Sequence, residues 1–124
     1  MKISDSAPSS RRLLLVAAAA LFDSSGRVLI TQRPHHKQLG GLWEFPGGKV
    51  EPGETFEQSL HRELREELAI QVAIERPFVA VKHAYSHFRM TLHTFLCRHV
   101  SGKAQPLGCS ALRWVQVSDL DRFA

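Results

Sequence analysis

The chain has 124 residues, 44% of them hydrophobic and 23% charged, with a formal net charge of +4 at pH 7. This is the length of one domain, enough to bury a core without metal or disulfide staples, and the composition excludes a disordered chain, a collagen-like repeat and a disulfide scaffold. The basic residues are scattered, with no run longer than Arg11-Arg12, a pattern that suits attraction of an anionic substrate and argues against a duplex-binding stripe.

Residues 1–10, MKISDSAPSS, read as a loose polar tail and 11–124 as the folded domain. The stretch RRLLLVAAAALF that follows has two readings. Twin arginines before a short apolar run resemble an export signal, but a continuous apolar run bounded by turn residues is also a buried strand. DSSG and then RVLITQR follow as a turn and a second strand, so residues 13–22 are taken as a strand with 27–33 as its partner. The run is too short to span a membrane.

PHHKQLGG (34–41) is a loop, and LWEF (42–45) a short extended piece stopped by Pro46-Gly47-Gly48. EPGE (51–54) is a turn. Thr55 to Leu68 is a helix, with Thr55 as N-cap and Gln58 as its capping-box partner. QVAIE, FVAVKHA and FRMTLHTFLCRHV are three β-rich runs, GKAQPLGCSA is a loop, LRWVQV is a strand, and SDLDRFA begins a helical turn. Strands around one long helix imply an α/β or α+β sandwich with a mixed sheet. Cys97 and Cys109 lack CxxC or Cys/His spacing, so a reduced, cytoplasmic protein without a disulfide is expected.

The acids are not scattered. Six of the twelve lie in residues 47–70: Glu51, Glu54, Glu57, Glu63, Glu66 and Glu67. With Glu63 at zero on a helical wheel, Phe56, Leu60, Leu64 and Leu68 fall at about 20°, 60°, 100° and 140°. Glu67 falls near ~40°, inside that apolar stripe, and Glu66 near ~−60°, just off its edge. Unpaired carboxylates are costly so close to a core, and neighbours at i, i+3 and i+4 repel one another. A cation among them removes both objections. Oxygen-only ligation suits Mg²⁺ or Mn²⁺ rather than zinc, and Mg²⁺ shares its shell with substrate phosphates. Gly47, Gly48 and Gly53 permit close backbone approach or positive φ beside such a site. The bland alternative is a solvated helix laced by pairs such as Glu57–His61 and Arg62–Glu66. The glycines and the placement of Glu67 favour a divalent-metal site for a phosphate-bearing substrate.

The segment Gly48-x5-Glu54-x7-Arg62-Glu63-Leu64-x-Glu66-Glu67-x-Ala69-Ile70 resembles the Nudix box, G-x5-E-x7-R-E-U-x-E-E-x-G-U with U a bulky aliphatic. One position departs: Ala69 stands where the family has glycine, a small-for-small change expected to be tolerated. LWEFPGGK, the first two strands, and Trp114 with Leu120 are similar to the MutT-type branch, so the likeness covers most of residues 13–124. It implies a Nudix α/β/α sandwich and Mg²⁺-dependent (or Mn²⁺-dependent) hydrolysis of an oxidised dNTP such as 8-oxo-dGTP to the monophosphate and pyrophosphate. By position, Glu63, Glu66 and Glu67 would be metal ligands, Glu66 alternatively acting as base through water. Gly47 would offer its carbonyl to the metal, and Arg62 would orient a carboxylate. Arg33, Glu44, Phe45, Pro46 and Gly47 match substrate-side positions. The branch continues with F-P-x-A-N, whose Asn reads the oxidised purine. This sequence stops at Arg122-Phe123-Ala124, where that motif would begin, so a chain truncated at its C-terminal end is expected. Some relatives add a metal-binding acid or base after the box, a place for which this chain offers only Asp119, Asp121, His83 or His87.

Two other readings remain at this stage. HAYSHFRMTLHTFLC is similar to the C-terminal domain of adenine DNA glycosylases, which implies lesion recognition without hydrolysis, with Tyr85, His87 and Phe88 lining a base pocket. The intact REUxEE set argues against it. A Nudix enzyme for another nucleoside-diphosphate compound shares the same box. Trp43 and Trp114 are read as core or pocket walls, Phe88 and Phe95 as sheet-packing residues, and His35 and His36 as loop residues. A nucleotide is the expected partner, with no membrane and no nucleic acid.

Overall fold

The computed structural model describes residues 12–85 and 88–123; the polar tail expected at 1–10 and His87 lie outside them. The elements run β1 (Arg12–Phe22), β2 (Val28–Gln32), β3 (Trp43–Glu44), β4 (Gly47–Lys49), α1 (Phe56–Leu68), β5 (Gln71–Ala84), β6 (Phe88–Ser101) and β7 (Ala111–Val115), then a 3-10 turn (Val117–Arg122). All strands join one mixed sheet in the order β3-β2-β1-β6-β5, with β4 added to β1 and β7 to β2.

The apolar run of β1 lacks alternation, as a central strand covered on both faces should. It pairs in parallel with β6 over its whole length, from Arg12↔Phe88 to Phe22↔Arg98. Its other edge is divided. The hairpin expected between 13–22 and 27–33 closes only at Phe22↔Val28. Beyond that point β2 turns to β3 and β7. The vacated edge is taken by β4, which pairs Gly47, Gly48 and Lys49 with Ala18, Ala17 and Val16. The Pro46-Gly47-Gly48 stretch is therefore a strand entrance rather than a stop. Gly47 is there because a Cβ would run into the Ala17 carbonyl.

QVAIE and FVAVKHA, read as separate runs, form the single strand β5, with register shifts at Ile74/Arg76 and Pro77/Val79. β5 is an edge strand, where Pro77 breaks no central ladder.

The helix begins as expected. The Thr55 hydroxyl accepts from the Gln58 N–H (3.0 Å), and the Gln58 side chain accepts from the Thr55 N–H (2.9 Å). Leu60, Leu64 and Leu68 are fully buried against Ala17, Ala19, Leu21, Leu29 and Phe95. Alanines at 17 and 19 let the helix come close to the sheet. Burying each leucine contributes roughly 1.5–3 kcal/mol. The opposite face holds a smaller core of Val28, Ile30 and Val115, on which Trp43, Phe45, Leu120 and Phe123 pack. The sandwich thus has α1 on one face and the 3-10 turn on the other. Trp114 joins the helix-side core. Phe95 is buried, and Phe88 stacks on Tyr85 at 4.6 Å. Cys97 and Cys109 are free thiols. Among the described residues no helix is long and apolar enough to cross a membrane.

Candidate active site

The site forms where β4 runs into the loop before α1. In the β1–β4 ladder, Pro46 accepts from Ala19 (2.8 Å) and Val50 donates to Leu15 (2.8 Å). Antiparallel alternation therefore turns the carbonyls of Gly47 and Lys49 away from β1. The Lys49 carbonyl accepts from the Ser59 hydroxyl and the Arg62 guanidinium of α1, both at 3.1 Å. Gly47, two residues earlier, presents its carbonyl on the same side.

Glu63 crosses directly over Gly48. A Cβ on Gly48 would come within 2.6 Å of both oxygens of the Glu63 carboxylate. This explains how a glutamate can lie inside the buried stripe: glycine leaves a slot for its head group. The Glu63 side chain is only 12% exposed.

Arg62 organises the helix side of the site. Its guanidinium donates to both oxygens of Glu54 (2.7 and 3.0 Å), to Glu63 (3.0 Å) and to Glu66 (3.1 Å). Only a planar fork of donors satisfies so many acceptors in fixed directions. Arg62, through hydrogen bonds to Glu54, holds the Glu54 carboxyl down at about 2.

Glu67 has the opposite environment. Burial, then the charge of Glu63 and a hydrogen bond with its carboxyl, push Glu67 up to about 7; Lys37 opposes this and Glu44 adds to it. Its backbone carbonyl accepts from the N–H groups of Leu107 (3.0 Å) and Gly108 (3.1 Å), which dock the 103–110 loop on the end of the helix. A Cβ on Gly108 would sit 2.8 Å from the Glu67 Cγ. Cys109 lies nearby: burial raises its thiol pKa, and Glu67 and Glu44 raise it further.

Of the remaining expected residues, Arg33 and Glu44 face each other at 3.8 Å. Burial raises the Glu44 carboxyl pKa, and Arg33 and Lys37 pull it down. Phe45 lines a cavity of about 260 Å³ with Ile30, Trp43, Glu44, Leu120 and Phe123. Pro46 is buried in the chain entering β4. A larger cavity of about 900 Å³, bordered by Phe22, Leu96, Cys97 and Trp114, has Asp23 and Glu75 as its acids. Neither cavity is lined by Glu63, Glu66 or Glu67.

Asp119 sits in the 3-10 turn on the face opposite α1, 3.7 Å from Arg122. His83 packs edge-on against Tyr85 and pairs with Met90. Neither is brought to the carboxylates. Three residues at the site, Glu54, Lys37 and Cys109, received no role from sequence reasoning. The fixed place of Glu54 in the G-x5-E-x7-R spacing was an available signal. Lys37 and Cys109 lie in loops whose approach to the site no spacing encodes.

Two carboxyls facing each other, one forced towards its neutral form, are what a hard cation would relieve. In this arrangement Glu66 is turned to Arg62 and is 61% exposed. Among the described residues no three acidic, histidine or cysteine side chains converge on one point. Glu63, Glu67 and the Gly47 carbonyl are oxygen donors that could hold a hard divalent ion.

Residues 17–124 match the NUDIX domain family. The chain belongs to the Nudix family. It is 43% identical over 86 residues to an 8-oxo-dGTP diphosphatase of Proteus vulgaris, covering 69% of this chain and 77% of that protein. It is 37% identical over 101 residues to the CTP pyrophosphohydrolase of Escherichia coli K12, covering 82% and 75%. The crystal structure of a MutT Nudix hydrolase from Burkholderia pseudomallei superposes with a TM-score of 0.76 at 28% identity, covering 89% of this chain and 88% of that one. The expectations of a Nudix fold and a MutT-type Nudix pyrophosphohydrolase are borne out.

Proposed function

We propose that this Nudix hydrolase cleaves oxidised deoxynucleoside triphosphates, 8-oxo-dGTP among them, to the monophosphate and pyrophosphate, in a reducing, cytoplasmic setting. The observation that carries the reading is the Glu63 carboxyl seated over Gly48, with the partly buried Glu67 carboxyl hydrogen-bonded to it. It is supported by the likeness to the Proteus vulgaris diphosphatase. Glu63, Glu67 and the Gly47 carbonyl would hold Mg²⁺, or Mn²⁺ in its place. When bound, the ion supplies charge neutralisation at the phosphates and a lowered pKa for a water ligand.

The chain's own residues do the rest. Arg62 holds the carboxylates of Glu63 and Glu66 on one side of the helix, and Glu66, the more exposed of the two, would accept the proton of an attacking water. Arg33 and Glu44 form the substrate-side wall, where the guanidinium can meet phosphate or base. Phe45 offers an apolar surface beside the cavity of about 260 Å³, and buried Pro46 fixes the entry into β4.

Pyrophosphate release with Mg²⁺ across 8-oxo-dGTP, the ordinary dNTPs, CTP and nucleotide sugars tests the reading. The expected result is fastest release from 8-oxo-dGTP, with Glu67→Gln losing at least about a hundredfold in rate. A Gln variant at full rate would overturn the role of the carboxylates. The likeness to the Escherichia coli CTP pyrophosphohydrolase, which spans more of this chain, favours a second reading with a pyrimidine triphosphate as substrate.

A further inference from the structure

Of the chain's eight glycines, only Gly48 and Gly108 lie against an acidic side chain. A Cβ on Gly48 would strike the Glu63 carboxylate. A Cβ on Gly108 would come 2.8 Å from Cγ, 3.1 Å from Cβ and 3.3 Å from Cα of Glu67. Neither glycine is in the left-handed region, so a positive φ is not the reason for glycine at either place. What both supply is room beside a carboxylate of the candidate metal site.

Gly108 belongs to the loop between β6 and β7, and that loop is fastened at both ends. A helix leaves its last carbonyls without partners of its own. Here the Glu67 carbonyl accepts from Leu107 (3.0 Å) and Gly108 (3.1 Å), and the Leu68 carbonyl from Gln105 (2.9 Å). Leu107 also donates to Gln105 (2.8 Å), which tightens the loop on itself. At its far end Ser110 donates to the Gln32 carbonyl (2.9 Å). The Gln32 side chain in turn donates to the Gly41 carbonyl (3.0 Å), and its backbone pairs with Trp43. The loop therefore ties the acidic turn of α1 to β2 and, through β2, to β3.

Capping the helix needs only the N–H groups of the loop. It does not need the α-carbon of residue 108 to lie against the stem of Glu67. That contact closes the loop side to the Glu67 side chain, while Glu63, one turn earlier at i−4, lies on the same helix face. We infer that Gly108 is a positioning residue: the 105–110 loop, packed on the Glu67 stem, directs its carboxyl toward the ion that Glu63 would share. The inference rests on the reading of Glu63 and Glu67 as metal ligands. A carboxylate held by packing has less rotamer freedom to lose when an ion arrives.

Gly108→Ala puts a methyl group where the Glu67 stem now runs. Mn²⁺ binding to the nucleotide-free protein, followed by calorimetry, should weaken about tenfold or more. With Mg²⁺ and a nucleoside triphosphate, kcat should fall by about a hundredfold while KM stays within about twofold. The same substitution made in Glu67→Gln should change Mn²⁺ affinity by no more than about twofold, because the group it acts through is already gone. Wild-type Mn²⁺ affinity in Gly108→Ala would overturn the inference. So would an equal loss in both backgrounds, which would put the effect elsewhere. Should the alanine variant fail to fold, hydrogen exchange of the wild type decides. Linkage is reciprocal, so Mg²⁺ should slow exchange of the Leu107 and Gly108 amides at least about threefold. Exchange indifferent to Mg²⁺ would sink the proposal. If Glu67→Gln bound Mn²⁺ as tightly as wild type, the metal reading would fall and this inference with it. If Glu67→Gln lost affinity and Gly108→Ala did not, the inference alone would fall.

Discussion

The Glu63 carboxylate occupies the space a side chain at Gly48 would need. The glycine turn and the acidic helix are thus two halves of one device, the first creating the slot the second fills. Gly48→Ala should displace Glu63, whose head group is the movable end of a flexible side chain, and leave the backbone in place. Turnover is expected to fall by about a hundredfold, the scale of an ångström-sized misplacement. The melting temperature should barely move. Full activity in the alanine variant, measured beside a thermal melt, would show that the slot does not matter.

Glu67 makes the metal-free protein sensitive to pH. Its folded-state pKa is raised from 4.5 to about 7, so folding favours the protonated carboxyl. The penalty for ionising it is absent below about pH 4.5 and grows as pH rises through about 7. In chelator, Glu67→Gln should therefore become progressively more stable than wild type between pH 5 and pH 8, and Mn²⁺ should close the difference. The readout is a set of thermal melts. A gap independent of pH would contradict the environment described for Glu67.

The Arg62–Glu54 pair has the reverse sign. Glu54 is held at about 2, so the stabilisation is present above its ordinary value of 4.5 and is lost as pH falls through about 2. Glu54→Gln should unfold more readily than wild type at pH 5, with the two converging towards pH 2. Arg62→Lys should lower kcat at least about tenfold, since one ammonium cannot replace a guanidinium bonded to three carboxylates and a carbonyl. A Lys variant with wild-type kcat would remove Arg62 from the catalytic arrangement.

Ala69 closes the helix in the left-handed region, at φ 60° and ψ 35°, with its N–H bonded to Arg65. Glycine takes that conformation without the Cβ penalty, which outweighs its greater entropy when unfolded. Ala69→Gly should stabilise the protein by roughly 0.5–1 kcal/mol, visible in urea denaturation with unchanged m-value. A neutral or destabilising result would mean that the cap relaxes around alanine. The expected tolerance of this exchange thus has a cost that only the backbone conformation reveals.

Much was legible beforehand. The capping box Thr55–Gln58, the stripe Leu60-Leu64-Leu68 and the intrusion of Glu63 and Glu67 into it all follow from a 3.6-residue period, a local property of the chain. The partners of β1 were not legible. Its uninterrupted apolar run identifies a central strand but carries no alternation to specify neighbours, so the parallel register with β6 and the insertion of β4 come from long-range packing. The bulged continuity of β5 through Pro77 was likewise hidden, because a proline in an apolar run reads locally as a break.

At the site the division is similar. The sequence by itself determined which carboxylates share a helix face and that glycines precede them, because both are matters of spacing along one chain. Tertiary structure alone decided that Glu63 lies over Gly48, that Glu67 is forced towards its neutral form, and that the charge of Lys37 in the 34–41 loop opposes this. The physical reason is that burial and through-space charge depend on which distant segments pack side by side, and no local period records that.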